Sequence, residues 1–132
     1  MGLKDYKFYR DLKTLKRMIR EDVIRVMPKQ YKYPDAIYLK EHLGTVVNYT
    51  AAMYVTDDIG EKSNYVKPIL FEMYVIQDEI EEQEEAKVIS IKKAASIYAK
   101  IQEIIQSLLR FDKYLKSKRE SDGPRSAESA VK

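Results

Sequence analysis

Four stretches of the chain repeat apolar residues every three or four positions, the spacing that gathers side chains on one face of a helix. Phe8, Leu12, Leu15, Ile19, Val23 and Val26 form the first set, and Leu39, Leu43, Val46, Val47, Thr50 and Met53 the second. Val66, Ile69, Leu70, Met73, Ile76 and Ile80 form the third, and Ile91, Ala94, Tyr98, Ile101, Ile105, Leu108 and Leu115 the fourth. No stretch alternates apolar and polar residues for long enough to demand a buried strand.

The breaks between these stretches carry helix-ending chemistry. In MPKQYKYPD, residues 27–35, Pro28 and Pro34 each remove a backbone donor and push the preceding residue away from helical angles, so the segment is expected to link two helices, with Asp35 capping the second. TDDIGEKSN offers Ser63 or Asn64 as the cap of the third, and Pro68 is then tolerable only near the first turn. Ser90 is placed to cap the fourth. Helices are thus expected at about 3–27, 36–58, 63–86 and 90–116, followed by a polar, disordered tail over 117–132 that lacks apolar periodicity. Short connections favour antiparallel neighbours, which predicts an all-α, up-down-up-down antiparallel four-helix bundle in which the first and fourth helices touch.

With 132 residues, the chain has the length of one domain. It has no cysteine and a single histidine, His42, so it offers neither a disulfide framework nor a thiolate or imidazole cluster for a metal, and no cofactor is expected. No apolar run approaches the roughly 20 residues of a membrane span. The charged N-terminal segment does not suit a signal peptide, and a cytoplasmic location is expected.

Charge changes the picture more than composition does. The net charge is only +3, yet residues 3–27 hold eight Lys or Arg against four Asp or Glu, and residues 90–115 five against two. Residues 36–60 hold one against three, and 61–89 three against eight. A bundle of the expected topology therefore sets two basic helices side by side and leaves the acidic helix on the other half.

Within the first helix, Arg10, Lys13, Arg17 and Arg20 fall on one stripe, roughly opposite the apolar face, at about 100° per residue. A row of cations at this pitch can follow a phosphate backbone with salt-dependent affinity and little sequence preference. Without partners it is an ordinary solvated helix face. EIEEQEEA concentrates Glu79, Glu81, Glu82, Glu84 and Glu85 at the end of the third helix, where carboxylates oppose the helix dipole. Compensation is expected from Lys29, Lys32, Lys87, Lys92 or Lys93 at the same end, or from a cationic surface on another subunit. The eleven tyrosines suit the edge of a core, with Tyr31 and Tyr33 the candidates for stacking on bases. No nucleophile and base pair is recognisable, so an enzyme is not expected.

The order of features resembles a known family. A first helix ending in MPKQYKY, a second with VVNYTAAMY and a fourth reading AKVISIKKAASIYAKIQEIIQSLL are similar to the four-helix-bundle family that includes proteins encoded in 23S rRNA intervening sequences and Avd, the accessory protein of diversity-generating retroelements. The resemblance covers about residues 6–115 and rests on architecture more than on invariant residues.

It implies a homopentameric, barrel-like assembly with a basic surface, which in Avd associates with a reverse transcriptase and its template RNA. On this chain the matching surface would be the stripe of the first helix with Lys92, Lys93 and Lys100 of the fourth. The function expected is a non-enzymatic, RNA-binding accessory protein. The other reading is a structural or protein-interaction bundle of the intervening-sequence type, docking through Glu81, Glu82, Glu84 and Glu85.

Overall fold

The computed structural model describes the backbone of residues 6–131 and the side chains of all of these except 31–33 and 121–131. Four helices make up the described chain: α1 (Lys7–Asp22), α2 (Lys29–Val55), α3 (Ile59–Glu85) and α4 (Ile91–Val131). A single 3-10 turn, Ile24–Val26, comes after α1. Consecutive helices pack on each other and α1 returns to α4, so the described chain is the all-α four-helix bundle that the periodicity predicts.

The apolar stripes close one continuous core. Leu12, Leu15 and Ile19 of α1, Leu39 and Met53 of α2, Ile69, Met73, Ile76 and Ile80 of α3, and Ile97, Ile101 and Ile104 of α4 are all buried to within 2% of full enclosure. Ile97 and Ile104, absent from the expected set, also keep three-and-four spacing with Ala94, Ile101 and Leu108 and are buried with them. Thr50 is also buried, and its hydroxyl donates to the Val46 carbonyl one turn earlier at 2.8 Å, which satisfies it without a partner from another helix.

Several boundaries differ from the sequence expectation, each for a local reason. The first helix stops at Asp22, not near residue 27, and the tighter 3-10 turn shifts the phase of residues 24–27 relative to α1. Val26 therefore points outward at 44% exposure, while Ile24 and Met27 turn into the core.

MPKQYKYPD is helical from Lys29 on: Pro28 is the residue before the first turn, and Pro34 lies inside the helix. At Pro28 nothing is lost, because the first N–H groups have no carbonyl to bond within the helix, whereas Pro34, the sixth residue of α2, removes one donor from the helical ladder. Asp35 is consequently not a cap.

The third helix starts at Ile59, with Asp58 as its cap: the carboxylate accepts from the Glu61 amide at 3.0 Å. Neither Ser63 nor Asn64 serves that role, and Pro68 lies well inside α3. Ser90 does cap α4, its hydroxyl accepting from the Lys93 amide at 3.1 Å.

The last helix continues beyond residue 116 to Val131, through the segment expected to be a disordered tail. Leu115 is its last buried residue among those whose side chains are described, so the described part of the extension adds no packing to the core.

The α1 helix, 16 residues long, is the shortest of the four. Beyond its start, Tyr6 stacks on Tyr54 of α2 with ring centroids 4.1 Å apart, and Tyr54 in turn meets Phe111 of α4 at 6.2 Å. Aromatic side chains thus fill the end of the bundle that α1 is too short to cover. Burial, reinforced by Tyr6, pushes the Tyr54 hydroxyl up to about 12. No described helix is long and apolar enough to cross a membrane.

Candidate nucleic-acid interface

Arg10, Lys13, Arg17 and Arg20 all lie on α1, turned away from the core set of Leu12, Leu15 and Ile19. Their surroundings are sparse in anions. Arg20 approaches Glu21 at 3.8 Å, a loose and largely solvated contact. The Lys13 ammonium sits 5.5 Å from the centre of the Tyr9 ring, one turn earlier, which steadies the cation without neutralising it. Among the described residues, Arg10 and Arg17 have no salt-bridge partner.

Lys92 and Lys93 are exposed in the first turn of α4. The pairs Lys7–Glu103 and Asp11–Lys100 fix α1 and α4 as antiparallel neighbours, and counting from them brings Lys93 level with the turn of α1 that carries Arg17. Lys100 departs from this group. It touches Glu103 at 3.0 Å and Asp11 at 3.7 Å, while Asp11 and Glu103 also hold Lys7 at 2.8 and 3.0 Å.

Two lysines and two carboxylates therefore bridge the α1–α4 seam, and Lys100 is committed to that bridge. The same contacts raise the Lys7 ammonium, chiefly through its hydrogen bond to Asp11, and lower the Glu103 carboxyl, chiefly through Lys7. Spacing on α4 alone pairs Lys100 with Glu103 three residues on but carries no sign of the rest, because Asp11 and Lys7 reach these two only when α1 and α4 pack.

The opposite seam behaves differently. The first helix packs more lightly on α2 than on α4, and the two leave a cleft of about 220 Å³ lined by Lys16, Arg20, Ile24, Lys40 and Leu43. Lys16 and Lys40 have no hydrogen-bond or salt-bridge partner among the described residues. Neither lysine falls on the stripe read from α1, and Lys40 belongs to a different helix, α2. Their convergence is a product of packing.

The acidic end of α3 lies where α2 begins and α4 starts, as Gln83 of α3 shows by donating to Asp35 of α2 at 3.1 Å. The expected compensation by Lys29, Lys87, Lys92 or Lys93 does not occur: among the described residues, none of these makes a salt bridge to the glutamates. The side chain of Lys32 lies outside the described residues, as do those of Tyr31 and Tyr33.

Glu81, Glu82 and Glu85 are exposed, whereas Glu84 accepts from the Tyr98 hydroxyl at 3.1 Å. Burial, with this hydrogen bond, pushes the Tyr98 hydroxyl up to about 12. Glu79 is buried. Desolvation first, then Glu82 and Asp35, push its carboxyl up to about 7 against the opposing hydrogen bond from Gln83.

His42 pairs with Glu72 of α3 and lies edge-on to Tyr38, with ring centroids 4.3 Å apart, so it joins two helices at the bundle surface. No group of three or more described acidic or histidine residues has a geometry that could hold a metal ion. Comparison with protein-family models and with curated proteins gives no match to this chain.

Proposed function

We propose that this protein is a non-enzymatic RNA-binding accessory protein of the Avd kind, holding RNA for a reverse transcriptase, and that it works as a homo-oligomer, the pentamer its resemblance implies. One observation carries the RNA reading. The cations of α1 stand in a row with almost no carboxylate to neutralise them, while Lys7 and Lys100 alongside are fully engaged in ion pairs. A solvated helix face ordinarily interleaves acids with bases; of the three acids of α1, Asp11 and Asp22 lie away from the row and Glu21 alone stands at its edge, 3.8 Å from Arg20. Lys92 and Lys93 extend the same positive region onto α4.

RNA affinity measured against salt tests the reading. Each phosphate neutralised contributes about −0.7 to the log-log slope for a single strand, so replacing Arg10, Lys13, Arg17 and Arg20 by Ala reduces the slope by up to about 3. A slope near zero, or unchanged affinity in the fourfold variant, overturns it.

A second reading, a protein-interaction bundle of the intervening-sequence type, is favoured by the outer face of α3. There Phe71 and Tyr74 are 64% and 50% exposed, on the helix that ends in the uncompensated glutamates. Large exposed apolar side chains beside unpaired charge suit a protein partner better than they suit RNA. Under this reading, changing Glu81, Glu82, Glu84 and Glu85 to Gln releases a basic protein partner and leaves RNA binding unaltered.

A further inference from the structure

The two seams of α1 treat their lysines in opposite ways. Against α4, Lys7 and Lys100 meet carboxylates, matched by Asp11 and Glu103. Against α2, Lys16, Arg20 and Lys40 converge on one cleft, and among the described residues the one ion pair these three make is the loose contact of Arg20 with Glu21 at 3.8 Å. Like charges gathered without counter-charge are unfavourable, and an anion entering the cleft removes that cost.

The cleft is not purely ionic. Ile24 and Leu43, otherwise buried, line its walls, and Arg20 brings a planar guanidinium of the kind on which unpaired bases stack. Its volume, about 220 Å³, falls short of the roughly 300 Å³ at which drug-sized ligand pockets begin. One small planar group with an attached anion fits that space and chemistry, whereas a base inside a duplex is stacked and cannot enter.

We infer that the cleft between α1 and α2 seats one unpaired nucleotide of an RNA chain, its phosphate held by Lys16, Arg20 and Lys40 and its base against Ile24, Leu43 and the Arg20 guanidinium. The inference rests on the RNA reading above and adds to it a preference: the row on α1 follows any phosphate backbone, but the cleft accepts only a base free of its partner. The cleft lies beside Arg20, at one end of that row, so a strand running along α1 reaches it.

The test compares binding of a fluorescein-labelled oligouridylate of about ten nucleotides with binding of a blunt RNA duplex of similar length, using the full chain, Lys40→Ala and Arg10→Ala. Lys40 is exposed on α2 and alanine is a stronger helix former, so the variant folds; helical circular dichroism verifies this. Lys40→Ala is expected to weaken single-strand binding about tenfold, the loss of one charge-assisted contact, with little change for the duplex. Arg10→Ala, away from the cleft, weakens both forms alike. Uridine monophosphate is expected to displace the labelled strand at far lower concentration than inorganic phosphate does.

Equal losses on single strand and duplex in Lys40→Ala overturn the nucleotide seat and leave RNA binding itself standing. Equal competition by uridine monophosphate and inorganic phosphate also overturns it, reducing the cleft to an anion site. Failure to bind either RNA overturns both proposals.

Discussion

Gln83 on α3 reaches across to α2 and donates to Oδ2 of Asp35 at 3.1 Å, and the same nitrogen donates to Glu79 Oε1, one turn back on its own helix, also at 3.1 Å. Both hydrogens of one amide are thus spent on two carboxylates, and the Gln83 carbonyl oxygen is left buried without a partner among the described residues. This arrangement ties the start of α2 to the end of α3 and bears on the protonation of Glu79.

Stability is expected to depend on pH through that carboxyl. Because native Glu79 titrates at about 7 against an ordinary value of 4.5, the folded protein holds a proton there that the unfolded chain releases. The stability this provides is complete below about 4.5 and is lost as pH rises through about 7. Thermal unfolding is expected at a lower temperature above this window than within it, and Glu79→Gln, which cannot ionise, is expected to flatten the difference. Comparing variant with parent separates the part due to Glu79 from the rest of the pH profile. An unchanged pH profile in Glu79→Gln contradicts the assignment.

Asp11 is expected to matter through its charge. It is 9% exposed and receives Lys7 and Lys100, so Asp11→Asn removes the negative charge between two lysines at the α1–α4 seam. The midpoint of denaturation is expected to fall. The deficit is expected to shrink at high salt, since Lys7 and Glu103 are largely solvated. A deficit indifferent to salt would point to packing instead of charge.

The backbone at the end of α3 offers a stabilising change. Lys87 has φ 62°, the left-handed conformation, and its amide bonds to the Glu84 carbonyl while the next amide, of Val88, bonds to Gln83. That is the glycine position of a helix-ending motif, occupied by a residue with a side chain. Lys87→Gly is expected to raise stability by about 0.5–1 kcal/mol, measured by chemical denaturation. A loss on substitution would mean that the lysine side chain contributes more than its backbone costs.

Core and rim substitutions should separate sharply. Leu15 is fully buried, and Leu15→Ala is expected to cost about 2–5 kcal/mol. Ile91, 78% exposed at the start of α4 although its spacing matches the apolar stripe, is expected to tolerate Ala within about 0.5 kcal/mol in the isolated chain. A large loss at Ile91 in solution would reveal a subunit contact at that end of the bundle.

The helical class and most of the core were legible in the residue order, because a 3.6-residue period carries its own burial instruction: Leu12, Leu15, Leu39, Met73 and Ile101 are inside as their spacing requires. The shared face of Arg10, Lys13, Arg17 and Arg20 was legible too, since one helix suffices to define a face. Ser90 could be read as a cap from its position between the acidic run and the fourth apolar stripe.

Wherever the outcome depended on a second helix, packing was needed to settle it. Asp35 looks like a cap and proves to be a partner of Gln83. Lys100 can pair with Glu103 on its own helix, but that Asp11 of α1 also reaches it shows only when the two helices pack. Lys16 and Lys40 lie far apart in the chain, and nothing in either helix alone shows that they line one cleft with Arg20. The physical reason is common to all three. A residue's periodicity fixes which way its side chain points on its own helix, but the charge it meets there is supplied by whichever helix packs alongside.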